Sequence, residues 1–363
     1  MNVNFRFAVV SDLHIALSHT IQDSPKRFHL VEVSIPALEL ILERLATLEL
    51  DFLLLPGDLT QDGEIDNHLW LSQRLAQLPY PVYVVPGNHD VIYPSGTEEI
   101  VGLTDFPQYY QQFGYTDPTN PYYTHEILPG VRLIGLNSNN FDEKGYQVGC
   151  LDSQQFNWLQ QVLAESNDEL ILVMIHHNVI EHLPDQASNP LGRRYMLDNA
   201  PQLLELFQQY GVRLIFTGHL HVQDIAQWQG IYEVTTGSLV SYPHPYRVIQ
   251  VSHNHQNQLT LNIESDCVKA VAEWPNLPDT SRQWMGDRSF PFMVKLLTVP
   301  PLSLPLNEAE QLAPELRNFW ADIAGGDAEF NFPNFPPAVR QYFQRFSTTK
   351  KIDNNATLVL SKE

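Results

Sequence analysis

Short apolar segments alternate with amphipathic helical patterns through the first 265 residues of this 363-residue chain. The apolar segments, each four to six residues long, are 5–10, 52–55, 82–85, 131–136, 170–175, 214–217, 231–235 and 247–251. Between them, as in the predicted helix at 33–49, apolar residues recur three and four positions apart. Strands that alternate with helices predict a layered α/β domain, and in such domains the loops at the carboxyl ends of the strands build the ligand site.

A second helix is predicted at 153–163, where Asp152 precedes the apolar stripe and Gln155 follows three positions later. This spacing is typical of a capping box, with Asp152 as the N-cap. The apolar residues Phe156, Leu159, Val162 and Leu163 are expected to face the core.

The composition changes after about residue 265, where prolines interrupt the chain repeatedly. A helix is predicted at 307–323, and the aromatic side chains of 330–346 are interpreted as core packing. We therefore predict a catalytic domain at 1–265 and a mainly helical C-terminal extension at 266–363. The extension is expected to pack on the first domain or to mediate homo-oligomerisation.

Charge and composition exclude several classes of protein. The 21 basic and 42 acidic residues give a net charge of −21, which repels a long nucleic acid but not a small phosphate ester held by local cations. No signal peptide and no apolar run long enough to span a membrane are recognised, so a cytoplasmic location is expected. Cys150 and Cys267 lack metal-ligand spacing and are interpreted as free buried thiols.

Polar side chains follow five of the apolar segments at the point where each segment ends. In chain order these residues are Asp12 and His14, then Asp58, then Asn88, His89 and Asp90, then His176 and His177, and finally His219 and His221. Each group alone is explained by ordinary turn chemistry. Together, delivered to one edge of a predicted sheet, they indicate an active site.

The donor types predict a metal centre. Carboxylate and amide oxygens mixed with imidazoles, without a thiolate, suit Mn, Fe or Zn. We assign Asp12, His14 and His221 to one ion and Asn88, His176 and His219 to another. Asp58 is the natural bridging carboxylate. Two such ions, 3.5–4 Å apart in known sites, clamp a displacement at phosphorus and generate a hydroxide nucleophile that they share.

The pattern DxH…GDLT…GNHD…H…GHxH, at residues 12–14, 57–60, 87–90, 176 and 218–221, resembles the calcineurin-like metallophosphoesterase superfamily. The resemblance implies the metallo-dependent phosphatase fold, a layered β-sandwich of two mixed sheets flanked by helices around a binuclear metal centre. It also implies that His89 acts as general acid or stabilises the transition state, with Asp90 orienting His89.

Longer stretches narrow the resemblance to the cyclic-nucleotide phosphodiesterase-like (class III) branch. These stretches are GDLTQDGE at 57–64, and residues 138–159 and 235–251. The GDxVDRG and RGNHE patterns of Ser/Thr phosphatases are not found in the sequence. Gln61 stands where purple acid phosphatases have a tyrosine ligand.

The expected function is a metal-dependent phosphodiesterase acting on small molecules, with cyclic nucleotides first. A phosphomonoesterase, a glycerophosphodiesterase or a nucleotide hydrolase would use the same site. A non-catalytic interaction module is the alternative of another class, and the complete ligand pattern argues against it.

Other polar residues received a structural interpretation. His253 and His255 are expected in an exposed hairpin turn, and Arg193 and Arg194 as an exposed pair outside the site. For His177, contact with substrate or a ligand and core packing are equal alternatives.

Overall fold

The computed structural model describes residues 4–22, 24, 27–256 and 258–360. Its strands are β1 (Phe5–Val9), β2 (Phe52–Leu55), β3 (Val82–Val84), β4 (Tyr123–Leu128), β5 (Val131–Gly135), β6 (Asn139–Phe141), β7 (Gln147–Gly149), β8 (Leu170–Met174), β9 (Leu214–Thr217), β10 (Asp224–Trp228), β11 (Ile231–Thr235), β12 (Pro245–His253), β13 (Leu259–Cys267) and β14 (Ala356–Leu360).

The α-helices are α1 (Ser34–Ala46), α2 (Ile65–Leu75), α3 (Phe106–Tyr109), α4 (Ser153–Glu165), α5 (Pro190–Arg193), α6 (Ala200–Tyr210), α7 (Leu277–Thr298), α8 (Leu306–Leu312), α9 (Phe319–Ala324) and α10 (Pro337–Gln344). Short 3₁₀ helices occur at Val31–Val33, Gln111–Phe113 and Ala313–Leu316. None of the helices in the described part of the chain combines the length and the apolar character needed to cross a membrane.

Two six-stranded sheets form the centre of the fold, in the orders β14-β13-β12-β1-β2-β3 and β10-β11-β9-β8-β5-β4. In the first sheet β1, β2 and β3 run parallel and the other neighbours run antiparallel. In the second, β5, β8, β9 and β11 run parallel and the two edge strands antiparallel. The predicted layered fold of two mixed sheets is confirmed.

Apolar side chains from both sheets fill the space between them. Phe7 of β1 and Phe216 of β9 meet edge to face, with ring centroids 5.4 Å apart. Helix α1 covers the first sheet through Leu38, Ile41 and Leu45, and a separate cluster packs α4 and α6 on the second. Both sheets are thus held rigidly against each other, and their strand ends are fixed in relative position.

Helix α4 begins as predicted, but its first turn differs in one respect from a capping box. Asp152 accepts a hydrogen bond from the backbone N–H of Gln155 at 2.7 Å. The Gln155 side chain does not reach back to the N-cap. It pairs instead with the backbone N–H and carbonyl of Asn137, at 2.9 and 2.8 Å, and so ties α4 to the end of β5.

The C-terminal extension is mainly helical, as expected, and has its own apolar cluster. The predicted helix at 307–323 is divided into α8, a 3₁₀ turn and α9, and Pro314 lies at the division. The aromatic residues of 330–346 pack in this cluster, as predicted.

The extension returns to the first sheet at its end. Strand β14 pairs with β13, and β13 itself crosses the predicted boundary at residue 265. The division at that point stays a proposal, and the pairing ties both of its parts to one sheet. The two cysteines are free, as predicted, but both are only half-buried.

Candidate metal centre

The site forms where the ends of five strands from the two sheets meet. Strands β1, β2 and β3 lead into Asp12 and His14, Asp58, and Asn88. Strands β8 and β9 of the other sheet lead into His176, and into His219 and His221. Because the sheets face each other, these side chains converge from both layers.

One set of ligand atoms comes from Asp12, His14, Asp58 and His221, all within 4.8 Å of one another. The Nε2 atoms of His14 and His221 lie 3.4 Å apart. His221 Nε2 is 3.1 Å from an Asp12 oxygen, and His14 Nε2 is 3.6 Å from an Asp58 oxygen. Facing imidazole nitrogens beside carboxylates are the donor arrangement that a divalent transition metal ion accepts.

A second set comprises Asp58, His176 and His219, also within 4.8 Å of one another. His176 Nε2 lies 3.3 Å from the other Asp58 oxygen and 3.1 Å from Asn88 Oδ1. The His176 Nδ1 is 2.8 Å from the carbonyl of Pro56, which orients the ring. The two sets share Asp58, and each of its oxygens faces a different set.

The backbone is constrained at the site. Asp12, His14, Asp58, His219 and His221 all have positive φ, between 43° and 66°. Residues other than glycine seldom adopt this conformation, and it clusters at functional sites. Gly87 lies so close to Asp58 that a Cβ atom would collide with its backbone nitrogen and its carboxylate. These constraints fix where the ligand side chains begin.

Burial and neighbouring charges set the protonation of the site. Burial lowers the pKa of His14 and His219 well below the usual range, which favours the neutral imidazole that binds metal. For Asp58, burial would raise the pKa, but His176 and His89 lower it well below its usual value. The Asp58 carboxylate is therefore ionised in the centre of the site.

His89 lies at the mouth of the site and is oriented by residues that follow the GDLT segment. Its Nδ1 is 2.6 Å from the Gln61 carbonyl oxygen and 3.4 Å from an Asp62 oxygen. Burial would lower the pKa of His89, but the Asp58 carboxylate, Asp62 and the Gln61 carbonyl raise it to about 9. The protonated imidazole is the form that a general acid requires.

Asp90 has contacts other than the one expected for it. Its carboxylate accepts hydrogen bonds from the backbone N–H groups of Leu59, Thr60 and Gly87, at 3.1, 2.8 and 2.8 Å, and from the Thr60 hydroxyl. No bond from Asp90 to the His89 ring occurs among the described contacts. Because these four donors occupy its oxygens, Asp90 joins the two loops, and Gln61 and Asp62 orient His89 instead.

His177 has contacts that fit both of the alternatives given for it. Its ring packs 4.3 Å from the His219 ring, and its Nδ1 lies 2.8 Å from the Ser138 hydroxyl. Burial lowers its pKa to about 3, so the ring is neutral. His177 thus supports His219 from behind and also lines the cavity beside the site.

Comparison with known protein families identifies the chain. The family model described as calcineurin-like phosphoesterase matches residues 5–223, more than half of the 363 residues. The chain belongs to this family. The matched region contains every residue of the two ligand sets.

Similar curated proteins include two phosphodiesterases. A "probable glycerophosphodiester phosphodiesterase" of Arcobacter nitrofigilis is 27% identical over 193 residues, covering 52% of this chain and 63% of its own length. A "probable cyclic nucleotide phosphodiesterase" of a Synechococcus species is 30% identical over 182 residues, covering 50% of this chain and 61% of its own. The chain thus spans less than two thirds of either relative.

The fold of this calcineurin-like phosphoesterase is also similar to a solved structure. A dimetal phosphatase from Danio rerio superposes with a TM-score of 0.52 at 15% identity, over 72% of this chain and 95% of that one. At this identity the likeness concerns the fold alone.

A cavity of about 940 Å³ extends from the ligand cluster to the C-terminal extension. Asp58, Asn88 and His219 line its floor, and Met285, Phe292 and Trp320 of the extension line it as well. Arg193 and Arg194, which the sequence led us to leave out of the site, also line this cavity. The Arg194 guanidinium stacks on the Tyr195 ring, which lies 5.0 Å from the His219 ring.

His29 is a residue near the ligands that no sequence pattern indicated. It lies in the loop before α1, and one of its nitrogens is within 4.8 Å of ligand nitrogens of His14 and His221. The stretch PKRFHL carries no metal-ligand spacing, and only the packing of the loop places this histidine at the site. Gln61 and Asp62 were also missed as the partners of His89, although they directly follow the GDLT segment.

Proposed function

We propose that the chain is a dimetal phosphodiesterase that hydrolyses small phosphodiesters. The observation that carries this proposal is the convergence of ligand side chains from five strand ends into two sets that share Asp58. Asp12, His14 and His221 would hold one divalent ion and Asn88, His176 and His219 the other, with Asp58 between them. Mn, Fe and Zn all suit these donors.

The bound ions would polarise the phosphoryl oxygens and lower the pKa of water, which is the chemistry such a pair supplies. The residues of the chain position the reactants. His89, protonated and fixed by Gln61 and Asp62, would donate a proton to the leaving oxygen. Asp90 would keep the loops of Asp58 and His89 in register through its backbone contacts.

The names of the similar proteins support two substrate classes, cyclic nucleotides and glycerophosphodiesters. We place cyclic nucleotides first, in agreement with the expectation from the sequence, because both arginines and aromatic side chains line the cavity. Arg194 and Tyr195 line it together with Phe292 and Trp320 of the extension, and aromatic surfaces suit a base. A cytoplasmic location and homo-oligomerisation through 266–363 remain further parts of the proposal.

Hydrolysis assays with added Mn²⁺ test this function. The purified protein is expected to cleave bis(p-nitrophenyl) phosphate and cyclic AMP, with weaker turnover of p-nitrophenyl phosphate. A glycerophosphodiester, assayed at the same metal concentration, ranks the second substrate class against the first. Metal-loaded protein that turns over none of these diesters would exclude a phosphodiesterase.

A further inference from the structure

His29 lies against the ligand set of Asp12, His14 and His221 without belonging to the family pattern. Its ring centroid is 4.3 Å from that of His14 and 4.6 Å from that of His221. One nitrogen of each of these three rings lies within 4.8 Å of the other two. Three imidazoles whose nitrogens approach so closely form a set of metal-ligand type.

One ring nitrogen of His29 lacks a hydrogen-bond partner in the described part of the chain. This nitrogen is Nδ1, and it is buried. A buried imidazole nitrogen without a partner is destabilising unless it binds something, and imidazole nitrogens bind metal ions.

We propose that His29 is an additional ligand of the ion assigned to Asp12, His14 and His221. The His29 set and the four-residue set share His14 and His221, so an ion bound near those two rings lies close to His29 as well. This inference rests on the proposed metal centre. It gives that ion three imidazole ligands and the second ion two.

The C-terminal extension holds the loop that carries His29. Trp284 of α7 donates a hydrogen bond from its Nε1 to the carbonyl of Arg27, two residues before His29, at 3.3 Å. The Arg27 guanidinium lies 5.9 Å from the centre of the Trp284 ring and pairs with Glu32 at 2.5 Å. On the other side of His29, the backbone N–H of Leu30 bonds to Val240 at 2.8 Å. The extension is therefore a positioning element for this ligand.

Binding of Mn²⁺ to the metal-free full-length protein, measured by electron paramagnetic resonance of the free ion, tests the proposal without substrate. The wild type is expected to bind two ions. His29→Ala and the bulkier His29→Gln should each lower the affinity for one of these ions by about ten- to a hundredfold, the range seen when groups that support a metal site are removed. His255→Ala, which removes an exposed histidine, is the matched control and should bind as wild type.

Trp284→Phe keeps an aromatic ring but loses the hydrogen bond to Arg27, so it should lower the affinity for the same ion by a smaller factor. Circular dichroism confirms that each variant is folded. Unchanged Mn²⁺ affinity in both His29 variants would overturn the proposal. This holds even if turnover falls, because lower turnover at unchanged metal affinity would mean that His29 contacts substrate and not the ion. Wild-type protein that binds no Mn²⁺ would overturn the proposed metal centre as well.

Discussion

At the scale of single residues, the candidate centre combines side chains with separate tasks on adjacent positions. Asn88 faces His176, His89 is held by Gln61 and Asp62, and Asp90 bonds the backbone of its neighbouring loops. Asp58 lies between the two ligand sets. Substitutions at these positions should therefore separate metal binding from proton transfer.

His89→Ala is expected to keep the metal content nearly intact and to lower kcat by roughly 10²–10⁴-fold, the contribution of a general acid. Asp58→Ala should instead lose metal, because both ligand sets need its carboxylate. Elemental analysis beside steady-state kinetics measures both properties. Equal metal loss in the two variants would contradict the role given to His89.

The sequence predicted which side chains come together better than it predicted the contacts they make. All seven proposed ligands could be located because each directly follows an apolar strand, and strand ends meet at one edge. The partners of His89 could not be predicted, because the position of Asp90 next to His89 in the sequence does not bring the Asp90 carboxylate to the His89 ring. Arg194 and His29 were missed because they lie in loops whose position depends on packing.

At the scale of elements, Glu233 of β11 connects the strand ends of the second sheet. Its fully buried carboxylate accepts bonds from the backbone N–H groups of Val179 and Ile180 at 2.9 and 2.6 Å, just after His176 and His177. It also accepts from Asn178 Nδ2 and the Thr217 hydroxyl, at 3.1 and 2.8 Å. This carboxylate therefore fixes the loops that present His176 and His219.

Glu233→Gln retains the shape of the side chain but replaces one acceptor oxygen with a donor. Because both oxygens of Glu233 accept hydrogen bonds, the amide nitrogen would face a buried donor in either orientation, so the free energy of unfolding should fall by about 3–5 kcal/mol. Chemical denaturation measures this change. Glu264→Gln, on an exposed position of β13, is the control and should change stability by less than about 0.5 kcal/mol. Equal stability of the two variants would refute this role.

His182 adds a pH-dependent contribution to the same region. Its buried ring lies between Asp224, with Nδ1 to oxygen at 2.6 Å, and Glu233, with Nε2 to oxygen at 3.0 Å. Burial would lower the pKa of His182, but the carboxylates of Glu233 and Asp224 raise it to about 10. The folded protein therefore holds this proton at pH values where the unfolded chain, with a pKa of about 6.5, has released it.

This raised pKa predicts how stability depends on pH. The stabilisation from His182 is complete below pH about 6.5 and is lost as pH rises toward 10, at up to about 1.4 kcal/mol per pH unit. The difference in free energy of unfolding between wild type and His182→Gln should narrow between pH 7 and 9.5. His19→Gln, in an exposed pair with Asp66, serves as control. If the difference between wild type and His182→Gln stays constant with pH, the carboxylates of Asp224 and Glu233 do not hold the proton on His182.

At the scale of the whole molecule, the extension and the calcineurin-like layers share their packing. Leu220 and Val222, which alternate with His219 and His221, are buried in the apolar cluster of the extension. Strand β14 completes the first sheet, and α7 holds the loop of His29. The sequence indicated a change of composition at 265, but the return of β14 depends on long-range pairing that local patterns do not encode.

Two adjacent residues of β14 test this integration. Leu358 is buried in the central core at 5% exposure, whereas Val359 points outward at 39%. Leu358→Asp should lower the free energy of unfolding by about 3 kcal/mol or more, since it buries an unpaired charge. Val359→Asp should cost less than about 1 kcal/mol. Thermal unfolding distinguishes them, and similar losses in both variants would mean that β14 does not belong to the core.

We propose that seven side chains from two sheets hold two metal ions. A crystal structure of the Mn²⁺-loaded protein, with anomalous scattering recorded at the manganese edge, tests it most directly. We predict two anomalous peaks, one at Asp12, His14 and His221 and one at Asn88, His176 and His219, with Asp58 between them. A single peak, or peaks away from these residues, would contradict it.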